Sequence, residues 1–236
     1  MQGAAGMWAQ PRGYLPALQD LARRHGTLLI CDEVATGFGR TGRLFAVEHE
    51  GITPDLLCLG KGITGGYLPL AATLASEAIF AAFLAPYERF EAFFHGHTYT
   101  GNPLACAVAN ANLDVFAAER VVERVGERAT QLAGLLREST GRLPCVGDVR
   151  QWGLMVGLEL VRDAQARTPF EPGLRIGHRV VQAARRRGVM LRPLGNVIIL
   201  MPPLSITATE LDTLVRVTCE SVEAAVDGMC TGAASV

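Results

Sequence analysis

Two short apolar segments of the chain each lead to an ionisable side chain. Residues 27–31 (TLLIC) precede Asp32, and residues 56–59 (LLCL) lead through a glycine to Lys61, which a second glycine follows. Apolar segments of this length are typical of buried strands. In an open α/β sheet, ligands bind beyond the carboxyl ends of the strands. We therefore expect one carboxylate and one primary amine to face a common site at that edge.

A carboxylate and a primary amine at one site suit the chemistry of pyridoxal phosphate (PLP). The amine of Lys61 would hold the cofactor aldehyde covalently and then act as a base, and the carboxylate of Asp32 would keep the pyridine nitrogen protonated. Either residue alone is more commonly a solvated surface group. Their joint occurrence, with glycines that leave room for a planar cofactor beside Lys61, predicts a cofactor site.

The composition is that of a globular protein. The 236 residues are 49% hydrophobic and 19% charged, enough to bury one sizeable core and a smaller second one. The net charge of -1 and the lack of long basic runs argue against binding to nucleic acid or anionic membranes, and no apolar stretch could span a bilayer. The six cysteines are scattered without a C-x-x-C pair, and several lie in apolar runs. We therefore expect buried free thiols and a cytoplasmic location.

Helix and strand signals alternate along the first part of the chain. A predicted helix ends at Gly26, directly before the strand at 27–31, and residues 70–75 form a candidate third strand. Asn102 followed by Pro103 is typical of a helix start, because asparagine caps the first turn and proline suits the first helical position. This alternation predicts an α/β domain over residues 1–140.

The pattern changes beyond about residue 140, where strands become short and more evenly spaced. The predicted elements are strands at 156–160, 189–191 and 197–201, and helices at 177–187 and 209–225. This alternation predicts a small α+β domain over residues 141–236.

Several motifs resemble those of a known family. The stretches CDEVATGFGRTG (31–42), TPD (53–55) and GKG (60–62) resemble the class III aminotransferases, which are fold-type-I PLP enzymes. Within that class, FHGHTYTGNPL (94–104) and LRPLG (191–195) look most like the 7,8-diaminopelargonic acid synthases. The resemblance covers nearly the whole chain. It implies a fold-type-I α/β transferase, with the C-terminal part of the large mixed-sheet domain followed by the small α+β domain.

The resemblance also implies that the chain corresponds to the C-terminal half of such an enzyme. The family's early segment supplies a Gly-Ser turn for the cofactor phosphate, an aromatic side chain that stacks on the cofactor ring, and several strands. No counterpart of these features is found here, so we expect the sequence to be partial. Three predicted strands would leave an edge that a doubly wound sheet normally covers or pairs. Whether this chain is active alone is left open.

The resemblance assigns three cofactor contacts. It implies that Asp32 pairs with the pyridinium, that Lys61 holds PLP, and that Thr98 binds the cofactor phosphate across the interface of a homodimer with shared active sites. Thr98 precedes the helix start at Asn102, and the positive end of a helix attracts phosphate. The alternative for Thr98 is an ordinary turn.

The substrate contacts are likewise implied by the resemblance. Arg192 would bind the carboxylate of 8-amino-7-oxononanoate, because a planar guanidinium can hold a carboxylate through two parallel hydrogen bonds. The alternative is a surface arginine at a strand end. Arg40 and Gly96 are further candidates for the substrate pocket. The implied reaction is a two-stage transamination to 7,8-diaminononanoate in biotin biosynthesis, with S-adenosylmethionine or lysine as the amino donor.

Three other interpretations stay open. The chain could belong to another class III omega-aminotransferase, or be a non-catalytic fragment or pseudoenzyme. GFGRTG (37–42) also matches the G-x-G-x-x-G motif of dinucleotide-binding oxidoreductases, but no convincing helix begins on its last glycine. His95 and His97 alternate along the chain, yet a zinc site needs three or four ligands at settled spacing, so we predict no metal.

Overall fold

The computed structural model describes residues 1–227 and 229, which divide into two compact units. One unit is Pro11–Val122, and the other combines Met1–Gln10 with the chain from Glu123 onward. The chain therefore passes from one unit to the other twice. The division into domains at residue 140 stays a prediction.

The unit Pro11–Val122 is built on a three-stranded sheet. Its helices and strands are α1 (Tyr14–Arg24), β1 (Ile30–Asp32), β2 (Leu56–Leu59), β3 (Ala72–Ala75), α2 (Glu77–Ala81) and α3 (Pro103–Ala118). β1 and β2 are parallel, and β3 pairs antiparallel with β2. The strand predicted within residues 70–75 is therefore confirmed.

One face of this sheet carries the core of the unit. The buried core side chains are Leu29, Phe38, Val47, Ile52, Leu57 and Leu59. Leu15, Leu18 and Ala22 of α1 pack against them, because a spacing of three and four residues places these positions on one side of a helix. Strand side chains alternate between faces, and Leu28 and Ile30, which flank the buried Leu29, are each 59% exposed.

Helix α3 begins where the sequence predicted. The Asn102 side-chain oxygen accepts hydrogen bonds from the backbone N–H groups of Leu104, at 3.0 Å, and Ala105, at 3.3 Å. Pro103 is the first helical residue, where its missing N–H costs nothing. The helix start at Asn102-Pro103 is therefore confirmed.

The elements after α3 form an antiparallel sheet with helices. They are α4 (Val121–Thr140), β4 (Val146–Trp152), β5 (Met155–Asp163), β6 (Thr168–Pro169), α5 (Ile176–Arg186), β7 (Arg192–Leu194), β8 (Val197–Leu200) and α6 (Ala208–Val226). The strand order is β4-β5-β8-β7, and β6 pairs with β5. The strand predicted at 189–191 is wrong, because β7 begins only at Arg192 and includes a proline, which an edge strand tolerates. None of the helices within residues 1–227 combines the length and apolar composition needed to cross a membrane.

The first ten residues are held on this sheet by Arg150, which is only 8% exposed. Its Nε donates a hydrogen bond to the carbonyl oxygen of Gly6 at 2.9 Å, and its guanidinium lies 4.7 Å from the centroid of the Trp8 ring. Nη1 donates to Asp148 at 2.8 Å and also to Glu159. A buried guanidinium is tolerated only with such partners, so this cluster explains why the start of the chain belongs to the second unit.

The cysteines only partly follow the expectation of buried free thiols. Cys31, Cys58, Cys106 and Cys219 are free, but Cys106 is exposed. Cys145 is disulfide-bonded, so the expectation is wrong at that residue. Cys230 lies outside the described residues.

Candidate active site

The parallel pairing of β1 and β2 brings the two predicted chemical groups to one edge of the sheet. Asp32, the last residue of β1, lies opposite Cys58 in β2, and Lys61 follows Cys58 by three residues. Because the strands are parallel, both residues stand at carboxyl ends of the strands, and both side chains are exposed. This is the edge at which open α/β sheets bind ligands.

Lys61 has an unusual backbone conformation. It opens a single 3-10 turn, Lys61–Thr64, directly after β2, and its φ of 44° lies in the left-handed region. Residues other than glycine seldom adopt this region, and such strain is concentrated at functional sites. The preceding Gly60 lies against Val34, since a Cβ on that glycine would be 3.3 Å from a Val34 methyl group. The turn of Lys61 therefore touches the loop that follows Asp32.

The loop after Asp32 is anchored by the next acid, Glu33, which is 2% exposed. One carboxylate oxygen of Glu33 accepts hydrogen bonds from the Thr36 hydroxyl at 3.1 Å and the Ala46 N–H at 2.7 Å. The other accepts from the Val47 N–H at 2.8 Å. Asp32 points outward instead and accepts one hydrogen bond, from the Val34 N–H at 2.9 Å. Glu33 is thus structural, and it holds in place the strand end that carries Asp32.

Phe38 supports the lysine turn from the core. A Cβ on Gly62 would lie 2.8 Å from the Phe38 Cβ, so the two residues are packed without spare room. Phe38 also has a left-handed φ, of 54°, and its ring makes edge contacts with Phe45 and Phe116 at centroid distances of 5.7 and 6.5 Å. Sequence reasoning missed this role, although a lone aromatic residue between two glycines was visible.

Arg40 lies in the same anchored loop, two residues beyond Phe38. It is half-buried, and burial lowers the pKa of its guanidinium. The next residue, Thr41, is fixed by His49, whose Nε2 is 3.1 Å from both the carbonyl and the hydroxyl oxygen of Thr41. Arg40 is therefore in the unit that carries Asp32 and Lys61, on an ordered loop.

Gly96 and Thr98 lie in an exposed segment before α3. The turn is closed by the N–H of His97, which donates to the Thr100 hydroxyl at 3.0 Å. Among the described residues, a Cβ on Gly96 would meet only the Thr100 hydroxyl, at 3.8 Å, so no close contact there requires glycine. Within the described part of the chain, no group of three or more His, Cys, Asp or Glu side chains could hold a metal ion.

The segment from Tyr67 to Leu104 exposes an unusual amount of apolar surface, which we call the aromatic segment. Its most exposed large side chains are Tyr67, Leu84, Tyr87, Phe90, Phe93, Phe94, Tyr99 and Leu104, each more than 60% exposed. Soluble monomers rarely expose large contiguous apolar patches, and such patches mark interaction surfaces.

Arg192 belongs to the other compact unit. It is the first residue of β7, pairs with Ile199 of β8, and is exposed. The structure therefore groups Asp32, Lys61, Arg40 and the Gly96–Thr98 turn in one unit and Arg192 in the second.

Lys61 is also unique in the chain by its residue type. It is the only lysine in the chain, and the remaining 21 of the 22 basic Lys and Arg residues are arginine. Every other Lys or Arg position of the chain therefore carries a guanidinium and not an amine. The one ε-amine stands where a primary amine would be needed to bond an aldehyde.

The chain was compared with families of known proteins. Residues 1–221 match the family model described as class III aminotransferase. The chain belongs to the class III aminotransferase family. Members of this family depend on PLP, which agrees with the cofactor predicted from Lys61 and Asp32.

Similar curated proteins in this class III family are named adenosylmethionine-8-amino-7-oxononanoate aminotransferase. One from Nitratidesulfovibrio vulgaris is 61% identical over 216 residues, which cover 92% of this chain and 40% of the relative. One from Anoxybacillus flavithermus is 50% identical, over 94% of this chain and 49% of the relative. The chain thus spans half or less of the length of these relatives.

Solved class III structures have the same fold. The adenosylmethionine-8-amino-7-oxononanoate aminotransferase of Methanocaldococcus jannaschii matches with a TM-score of 0.91 and 44% identity, over 94% of this chain and 51% of that one. An (S)-enantioselective omega-transaminase from Thermomicrobium roseum matches with a TM-score of 0.88 and 40% identity, over 96% and 50%. The predicted fold-type-I class is therefore confirmed.

Proposed function

We propose that the chain supplies the lysine and the acid of a PLP-dependent aminotransferase that converts 8-amino-7-oxononanoate into 7,8-diaminononanoate, a step of biotin biosynthesis. The observation that carries the proposal is the parallel pairing of β1 and β2, whose register places Asp32 opposite Cys58, three residues before Lys61. The names of two relatives, which are 50% and 61% identical to this chain, support the choice of substrate.

The residues at this sheet edge fit PLP. The donor set is an exposed amine between two glycines and an exposed carboxylate on the neighbouring parallel strand. When bound, PLP would supply the electron sink that makes the Cα–H bond of the amino donor acidic. The carboxylate of Asp32 would keep a proton on the ring nitrogen. Nζ of Lys61 would hold the aldehyde and then carry the Cα proton, a role worth roughly 10²–10⁴-fold in rate.

The keto substrate carries a carboxylate at the end of an aliphatic chain, and we propose Arg192 as its partner. The exposure of Arg192 at the start of an edge strand leaves its guanidinium accessible for a bidentate contact. Arg40 is proposed as a second substrate contact, since its half-buried guanidinium is a planar donor suited to a carboxylate and lies on the loop that follows Asp32. Gly96 is proposed because the described residues leave open space beside it, into which a substrate could approach the backbone.

We also propose that the working protein is a homodimer in which the aromatic segment is covered by a second copy. The exposure of its aromatic side chains supports this, since aromatic residues are enriched in protein interfaces. Thr98, within the segment, would then bind the phosphate of the cofactor in the partner subunit. A cytoplasmic location remains a prediction from the sequence.

A second candidate function is that of a class III omega-aminotransferase with a different amino acceptor. The match to the omega-transaminase from Thermomicrobium roseum supports this candidate. The chain matches that structure about as fully as it matches the adenosylmethionine-8-amino-7-oxononanoate aminotransferase of Methanocaldococcus jannaschii. The amino donor is a related choice, between S-adenosylmethionine and lysine.

The test is a product assay on the protein as its gene encodes it, with PLP added. The keto substrate 8-amino-7-oxononanoate is offered with S-adenosylmethionine, lysine or alanine as donor, and 7,8-diaminononanoate is measured by mass spectrometry. We expect product with one of the first two donors and none from the Lys61→Ala variant. Turnover of pyruvate with simple amines, without turnover of the keto substrate, would support the second candidate. The absence of both activities would contradict the proposal.

A further inference from the structure

The backbone that follows Lys61 is held by one side chain from a distant part of the sequence. Asn112 of α3 donates hydrogen bonds from Nδ2 to the carbonyl oxygens of Gly62, at 2.9 Å, and Ile63, at 3.2 Å. Its Oδ1 is also close to the turn, since a Cβ on Gly65 would lie 3.0 Å from it. The carboxamide therefore sits directly on the turn that Lys61 opens.

The surroundings of Asn112 make this contact specific. Helix α3 is mostly apolar, and the amide is half-buried between the helix and the turn. An amide nitrogen has two hydrogens to donate, and two carbonyl oxygens lie within hydrogen-bond distance of Nδ2 here. A partly buried amide without partners would be unfavourable, so the turn and the side chain depend on each other.

The same helix supports the turn at a second point. Phe116, one helical turn beyond Asn112, contacts the ring of Phe38, and Phe38 packs against Gly62. The turn is thus fixed by hydrogen bonds to its carbonyl groups and by packing against Gly62. Lys61, the first residue of this turn, has a left-handed φ.

We propose that Asn112 is a positioning residue that acts through Lys61. By fixing two of the three peptide carbonyl groups that follow Lys61, it prevents the turn from relaxing and keeps the lysine in its left-handed conformation, which sets the direction of the amine. This inference rests on the proposed function of Lys61. It adds a residue that the aminotransferase motifs in the sequence do not include.

The test uses two pairs of matched variants in the protein as its gene encodes it. Asn112→Asp keeps the shape of the side chain and removes both donors, and Asn110→Asp makes the same change at an exposed position of α3. If Asn112→Asp does not fold, Asn112→Leu removes the donors without adding charge, and Asn110→Leu is its control. Every variant is first compared by its melting temperature.

Three measurements then separate positioning from stability. They are the rate at which PLP and borohydride label Lys61, the pH midpoint of the visible absorption of the PLP-loaded protein, and kcat with KM for the keto substrate. For the Asn112 variants we expect labelling and kcat to fall about ten- to a hundredfold, as displacement by about 1 Å can cause, with KM changed less than about threefold. We also expect a shifted pH midpoint. The Asn110 variants should match the wild type.

The outcomes distinguish failure of this inference from failure of the proposed function. If the wild type labels at Lys61 and the Asn112 variants behave like the Asn110 variants in all three measurements, the positioning role is refuted. A lower melting temperature with unchanged labelling and pH midpoint would likewise refute it, because it would show a structural role only. If the wild type itself is not labelled at Lys61, the proposed function fails, and the positioning role fails with it.

Discussion

Substitution of Gly62 by alanine should damage both stability and catalysis. The new Cβ would lie 2.8 Å from the Phe38 Cβ and 3.3 Å from two carbons of its ring. Ordinary carbon contacts are about 3.5–4.0 Å, so one of the two residues must move by roughly 0.7 Å or more. Phe38 is 4% exposed and packed against two other rings, and cannot give way easily. Overpacking of this kind costs about 1–3 kcal/mol.

The assay compares Gly62→Ala with Gly126→Ala in α4, where a Cβ would meet nothing within 4 Å. Chemical denaturation should show that the Gly62 variant loses about 1–3 kcal/mol of unfolding free energy, while the helical control gains about 0.5–1 kcal/mol. The rate of Lys61 labelling by PLP and borohydride should fall by up to about 10²-fold in the Gly62 variant alone. A Gly62→Ala protein with wild-type stability and labelling rate would refute the tight packing of the turn on Phe38.

Three further predictions concern other parts of the chain. Arg192→Ala should raise KM for the keto substrate much more than Arg192→Lys at similar stability, and equal KM values would remove its proposed role. In chemical denaturation, Arg150→Met should lose about 2 kcal/mol of unfolding free energy. This is less than the loss expected on breaking a fully buried ion pair, because the carboxylate partners of Arg150 are 40% and 37% exposed. The control Arg162→Met, at an exposed position, should stay within about 0.5 kcal/mol of the wild type. Burial, aided by Glu223, raises the pKa of Cys219 from 9.0 to about 11, so the thiol's contribution to stability should be lost as the pH rises from 9 to 11. The stability of Cys219→Ser relative to wild type should rise over that range, and a constant difference would contradict the shift.

The placement of Asp32 and Lys61 at one sheet edge could be predicted because it depends on short-range order along the chain. Asp32 ends β1 and Lys61 closely follows β2, and the parallel pairing of these strands then fixes their common edge without any detail of packing. The start of α3 was equally local, since Asn102 caps the helix through its own backbone neighbours. Predictions of this kind need only spacing and residue type.

The support of the site could not be predicted in the same way. Asn112 and Gly62 are separated by 50 residues, and nothing in the sequence near either residue indicates their contact. The left-handed φ values of Lys61 and Phe38 are imposed by packing, because local preferences disfavour them. The strand predicted at 189–191 was displaced from β7, because β7 contains Pro193, which a sequence pattern disfavours in a strand but which the edge position of β7 tolerates.

The central claim is that Lys61 is the residue that holds PLP, and it can be tested by peptide mapping. The protein as its gene encodes it is incubated with PLP, reduced with borohydride and digested with trypsin. Because Lys61 is the only lysine between Arg43 and Arg89, its modification should block cleavage and yield one labelled peptide covering residues 44–89. The Asp32→Asn variant should show less labelling by PLP and borohydride, with the label still on Lys61. Labelling elsewhere in the protein, with peptides 44–61 and 62–89 recovered unmodified, would contradict the account.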